Sequence, residues 1–125
     1  MTQPSEKIAL RATAIVVQDN KVVLVSRDGS AWDTPGGRTE PREALPVTLL
    51  RECLEEAGMK VEVGPVCHVQ ESFFYQQGWR LVEIFFLCRP LEEIKTGECK
   101  DADGSSSRIG IFSFDELSTL PVVRP

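Results

Sequence analysis

The sequence predicts an α+β fold, a mixed β-sheet of hairpins carrying one amphipathic helix. Three observations predict it. Residues 8–17, 21–27 and 79–89 are runs rich in β-branched and aromatic side chains, the composition of strands. Residues 46–58 place Val47, Leu50, Cys53, Leu54 and Ala57 at helical spacing between a proline and a glycine. The chain has 125 residues, 42% hydrophobic and 26% charged, which fits one globular domain over 1–125.

The elements follow in order. Residues 8–17 and 21–27 flank Gln18-Asp19-Asn20, whose turn chemistry predicts a hairpin. Trp32 to Gly37 is a tight, glycine-rich connection. Pro46 suits a first helical turn and Gly58 the position that ends a helix. The apolar helix face named above is predicted to be buried, with Glu52, Glu55 and Glu56 on the opposite face. Val61–Val63 and Val66–Gln70 read as short strand pieces separated by the breaker pair Gly64-Pro65. Gln76-Gln77-Gly78 reads as a hairpin tip between 72–75 and a central strand at 79–89, apolar almost throughout. Residues 90–108 are polar and predict a mobile loop. A last strand at 109–114 and a helical turn from Asp115 close the chain. It stops at Pro125 before any C-terminal helix, so the other sheet face is expected to be covered by a partner, such as a second copy in a homodimer, or by a segment that a truncated chain lacks.

Composition excludes several functions. The net charge is −5 and no basic cluster offsets it, so binding to a DNA or RNA duplex through its phosphates is not expected. An acidic chain can still take a phosphorylated ligand when a divalent cation stands between them. No apolar run approaches the ~20 residues of a membrane span. The start, MTQPSEK, has no basic or apolar signal region, which predicts a cytoplasmic protein with no membrane partner. The four cysteines lack zinc spacing and read as reduced thiols; the single histidine, His68, reads as structural.

One constellation carries chemistry. Glu52, Glu55 and Glu56 stand at i, i+3 and i+4, where like charges repel, in the helix half whose dipole disfavours anions. Such a face invites a counter-ion, and Mg²⁺ takes carboxylate oxygens together with substrate phosphates. Reading outward, Gly37 is followed by five residues, Glu43, seven residues and then Arg51-Glu52-Cys53-Leu54-Glu55-Glu56-Ala57-Gly58-Met59.

This pattern resembles the box of the Nudix (MutT-like) hydrolases, G-x5-E-x7-R-E-U-x-E-E-x-G-U, and all seven fixed positions match. Trp32 to Gly36 is similar to the W-x-L-P-G that often leads into the box, with Thr34 in the apolar place. Cys53 and Met59 fill the bulky aliphatic positions, and Arg42 stands where glycine is frequent. The resemblance covers most of the chain and implies an α/β/α sandwich around the mixed sheet. It implies that Glu52, Glu55 and Glu56, with the Gly37 carbonyl, hold Mg²⁺ or Mn²⁺. It implies an Arg51–Glu43 ion pair bracing loop against helix. The implied reaction is water attack on a phosphorus of a nucleoside diphosphate linked to another group. Nucleoside triphosphates, oxidised deoxynucleotides and dinucleoside polyphosphates are the expected substrates.

Glu56 or Glu52 is the expected general base. Some relatives use an acid from a later loop, for which Glu98, Asp101 and Asp103 are the candidates. For substrate binding, Tyr75 and Phe74 are candidate base-stacking residues beside Phe73 and Trp79, with Arg27 and Arg80 as phosphate contacts; Arg11 is weighed too and reads more as a surface charge. The alternative function is a nucleotide-binding sensor that does not cleave. An mRNA-decapping role would need a basic path for RNA that the chain lacks.

Overall fold

The computed structural model describes residues 6–100 and 106–121. In chain order the elements are β1 (Lys7–Gln18), β2 (Lys21–Ser26), β3 (Gly36–Arg38), α1 (Leu45–Ala57), β4 (Val61–Phe74), β5 (Trp79–Pro90), β6 (Gly97–Lys100), β7 (Ser106–Ser113) and the single turn α2 (Phe114–Leu117). The strands form one mixed sheet ordered β4-β5-β1-β2-β7-β6, with β3 also paired to β1.

β1 is the axis of the sheet. One edge runs parallel to β5, from Lys7 opposite Trp79 to Val16 opposite Cys88. The other edge is shared between two partners. β3 takes Arg11–Thr13, and β2 takes only Val17 and Gln18. The expected hairpin therefore exists only at its base, around a two-residue turn in which Asp19 and Asn20 have φ of 51° and 60°. That turn matches the right-handed twist of the flanking strands. Beyond it β2 leaves β1 and pairs along β7. The sheet thus divides at β1, and residues from both halves line the cleft between them.

α1 covers the β1–β3–β4 region, and its burial corrects the expected phase. Thr48, Leu49, Cys53 and Ala57 are buried, while Val47, Leu50 and Leu54 are 53%, 44% and 53% exposed. Glu52 and Glu56 are half-buried and only Glu55 of the three acids is exposed. The helix is rotated toward its acidic side because Glu56 accepts the Gly36 N–H and Glu52 lies against Gly37. It ends as expected at Gly58 (φ 59°), whose N–H, with that of Met59, satisfies the last carbonyls. The core joins Leu49, Cys53 and Ala57 to Ala12, Ala14 and Val16 of β1 and Phe86 and Cys88 of β5.

Two further expectations are corrected. β4 is one continuous strand, because register shifts at Val63–Val66 and Val66–His68 absorb the Gly64-Pro65 breaker as bulges. The polar stretch 90–108 is not all loop. Gly97–Lys100 forms β6 and pairs in register with β7, which starts at Ser106. β5 is central between β4 and β1, as its apolar run predicts. Among the described residues α2 is the only helix besides α1, and Val66 and Val69 of the edge strand β4 are over half exposed. No described helix is long and apolar enough to cross a membrane. All four cysteines are free thiols; Cys53 and Cys88 are buried and Cys67 is exposed.

Candidate active site

A cleft of about 790 Å³ opens where the sheet divides. Arg11 comes from β1, Val25 and Ser26 from β2, and Gly36 from β3. Glu52, Glu55 and Glu56 come from α1 and Ser107 from β7, with Arg27, Asp28, Ser30, Ala31 and Asp33 supplied by the connecting loop. That loop is tied at both ends. Val25 and Asp33 exchange backbone hydrogen bonds of 2.8 and 2.9 Å, and Pro35 accepts from Ala14 N at 2.8 Å. Trp32 packs edge-on against Phe112 at 4.9 Å.

Gly36-Gly37 brings backbone against the helix. A Cβ at Gly36 would overlap the Ala12 carbonyl and the Thr13 backbone, and one at Gly37 would overlap the Glu52 carboxylate. Glycine is needed at both positions for this close approach. It lets Glu56 Oε1 accept the Gly36 N–H at 3.2 Å.

Electrostatics distinguish the acids. Burial pushes the Glu56 carboxyl up to about 8; the Gly36 N–H opposes this, the Glu52 charge and contact add to it, and Arg11 draws it down. Two carboxyl groups thus converge in a half-buried place. Glu55 is turned outward. Arg51 Nη1 donates to Glu52 at 2.9 Å and to Glu55 at 3.3 Å. Among the described residues no group of three acidic, cysteine or histidine side chains is gathered for a metal. The donors that do converge are hard oxygens in need of positive charge, the chemistry that suits Mg²⁺ or Mn²⁺.

Arg51 also grips Glu43 with two bonds, Nε to Oε2 and Nη2 to Oε1, both 2.9 Å. Glu43 further accepts Thr48 Oγ1 at 2.6 Å and the Glu40 N–H at 3.1 Å. Arg51 foremost, then Thr48, holds the Glu43 carboxyl down at about 2, and Glu43 in turn raises Arg51. Arg42, in the loop they brace, has a φ of 65°, the left-handed region glycine favours.

The other candidates divide. Arg27 is exposed and lines the cleft. Arg80 does not line it; its guanidinium contacts Glu6 at 2.6 Å and Glu71 at 3.2 Å and lies over Phe73. Tyr75 and Phe74 are at the β4–β5 tip, away from the cleft lining. Phe73 stacks on Tyr75, Phe74 stacks on Trp79, and Arg38 caps Trp79 at 4.5 Å. Phe74 and Trp79 meet as a directly opposed cross-strand pair, while Phe73 and Tyr75 lie two residues apart on one side of the hairpin. Glu98 is on β6 and lines a second cavity beyond the C-terminus of α1. Asp101 and Asp103 lie outside the described residues. His68 packs edge-on against Phe85 at 5.2 Å.

The cleft also holds Asp28, Asp33 and Ser107, which the motif does not point to, and Arg11, which is not a surface charge as expected. Asp33 carries a signal, its place just before the glycine turn. Arg11 carries another, as the one charge within the apolar run 8–17.

Comparison with known proteins agrees with the box. The NUDIX domain matches residues 8–124. The chain is 35% identical over 112 residues to the mouse (Mus musculus) 8-oxo-dGDP phosphatase NUDT18, covering 85% of this chain and 32% of that protein. It is 28% identical over 109 residues to a MutT-like protein of Streptomyces ambofaciens, covering 86% and 64%. It therefore spans less than two thirds of either relative. An ADP-ribose pyrophosphatase structure from Streptococcus suis superposes with a TM-score of 0.72 at 26% identity, covering 92% of this chain and 79% of that one.

Proposed function

The chain belongs to the Nudix hydrolase family, and from that premise we propose that it is a Mg²⁺- or Mn²⁺-dependent pyrophosphohydrolase acting on a nucleoside diphosphate linked to a further group. The observation that carries this reading is the convergence of Glu52 and Glu56 against Gly36-Gly37 on one wall of the cleft. The relatives named as an 8-oxo-dGDP phosphatase and an ADP-ribose pyrophosphatase support a diphosphate-containing substrate. Nucleoside triphosphates, oxidised deoxynucleotides and dinucleoside polyphosphates are the classes to try first.

In this reading Glu52, Glu55, Glu56 and the Gly37 carbonyl would hold the cation. When bound, it would supply charge compensation for the diphosphate and a more acidic water. The chain supplies the rest. Arg51 and Glu43 fix the loop before α1 relative to the glutamates. The Gly36 N–H orients the Glu56 carboxylate. Glu56 takes the proton of the attacking water at a carboxylate oxygen, and Glu52 is the alternative base. The reading includes a cytoplasmic location, in keeping with four cysteines whose spacing reads as reduced thiols.

Product analysis tests this. The intact chain and Glu56→Gln are incubated with Mg²⁺ and nucleoside triphosphates, oxidised dGTP, dinucleoside polyphosphates, ADP-ribose and nucleotide sugars. Chromatography is expected to show one class cleaved within its diphosphate by the intact chain alone. Nucleotide binding without cleavage of any class would overturn the reading in favour of a sensor.

A further inference from the structure

Arg11 is anchored in an unusual way. It stands on β1 in register with Glu83 of β5, each the only charge among apolar neighbours. Glu83 is 1% exposed. A buried carboxylate is costly unless it is paired and hydrogen-bonded. Here Glu83 Oε2 accepts Thr13 Oγ1 at 2.6 Å and Arg11 Nε at 3.2 Å, and the same Nε reaches Thr13 Oγ1 at 3.2 Å. Thr13 is also fully buried. One edge of the guanidinium is thereby locked in place.

The other edge is not engaged in the same way. Among the described residues neither Nη of Arg11 makes a hydrogen bond; Nη2 forms only a loose ion pair with Asp33 Oδ2 at 4.0 Å, longer than a hydrogen bond. The bracing Arg51 differs, since its Nε and both Nη atoms all donate to carboxylates. Arg11 lines the cleft together with Glu52, Glu56 and Gly36. A planar fork held by one edge matches the paired oxygens of a phosphate with the other.

We propose that Arg11 binds the diphosphate group of the substrate from the cleft wall, with buried Glu83 and Thr13 as its positioning residues. This rests on the hydrolase reading above. With Glu52 and Glu56 of the same cleft placed to hold the cation, Arg11 would add a second positive charge toward the diphosphate. Arg11 is a binding residue throughout turnover and moves no proton.

The test combines steady-state kinetics on the substrate the intact chain cleaves with calorimetric binding of methylenediphosphonate, which cannot be hydrolysed at its bridge, in the presence of Mg²⁺. Losing a hydrogen bond to a charged group predicts KM and the diphosphonate Kd raised about 10- to 100-fold in Arg11→Lys. A smaller rise is expected in Glu83→Gln, which keeps an acceptor for Thr13 while removing the charge that fixes Arg11. Because Arg11→Lys can disturb the fold around Glu83, the pair is also removed together as Arg11→Met with Glu83→Gln; this variant is expected to melt cooperatively and to lose diphosphonate binding. Unchanged KM and Kd in folded variants, with only the melting temperature lowered, would overturn the proposal and leave a structural ion pair. An intact chain that binds diphosphonate without cleaving any substrate defeats the hydrolase reading, and the binding data still decide the role of Arg11. An intact chain that neither cleaves nor binds defeats both.

Discussion

The cleft and the β4–β5 tip each gather chemically distinctive side chains, and they are built on opposite terms. At the tip each aromatic has a partner, with Phe73 on Tyr75, Phe74 on Trp79, and Arg80 and Arg38 over the rings. Tyr75 is nonetheless 84% exposed. In the cleft, two carboxyl groups are pressed together. Glu56 is driven to about 8 by burial, with Glu52 adding to the shift. The tip satisfies itself, whereas the cleft holds a carboxyl group strongly shifted by burial. A perturbed titratable group in a concave place marks function better than exposed aromatic surface does.

The largest effect expected is on turnover. Glu56→Gln or Glu52→Gln should lower kcat by about 10²- to 10⁴-fold, while Tyr75→Ala should change kcat/KM by about twofold or less. Kinetics on the cleaved substrate check both. An equal loss at the tip would erase the distinction between the regions.

The adjacent glycines sharpen it. Gly36→Ala would press on the backbone of β1, which cannot retreat, and should cost about 1–3 kcal/mol in denaturant unfolding. Gly37→Ala meets only the Glu52 side chain, so the fold should persist while activity falls with the displaced carboxylate. Activity assays beside the unfolding curves separate the two.

Acidity provides a third test. The Glu56 carboxyl titrates near 4.5 when unfolded and near 8 when folded. Between these values the unfolded chain loses its proton first, so the metal-free protein should lose stability as pH rises from 4.5 toward 8. Glu43 acts with the opposite sign, since its stabilisation is present above 4.5 and is lost only as pH falls toward 2. Melting temperatures in EDTA should therefore decline from pH 5 to pH 8, and Glu56→Gln should flatten that decline.

The smallest effect concerns stability at the tip. Tyr75→Ala should shift unfolding by about 0.5 kcal/mol or less, because the side chain is solvated and leaves no cavity. Thermal melts check it.

What could be read from the sequence was local. The acidic residues from Gly37 to Glu56 lie within one loop and helix, so their spacing alone was informative. The hairpin tip at Gln76-Gln77-Gly78 and the central strand after it were legible for the same reason. The phase of α1 was not, because the helix turns two glutamates inward and leaves Val47, Leu50 and Leu54 in water, against the usual apolar rule. β6 was hidden because Gly97-Glu98-Cys99-Lys100 has no strand composition and pairs only because β7 offers an edge. The Arg11–Glu83 pair was out of reach, since it depends on a parallel register between strands separated by the rest of the domain. Two lone charges in apolar runs were visible, but nothing local shows that they face each other.

The proposal that the Glu52–Glu56 wall is a cation site is tested most directly by titrating Mn²⁺ at pH 7 in buffers of different ionisation enthalpy. Calorimetry should show binding that releases close to one proton per chain, because Glu56 must give up its proton to ligate. In Glu56→Gln that proton release should vanish and affinity should fall. Equal affinity in the variant, with no proton released by the intact chain, would contradict the assignment.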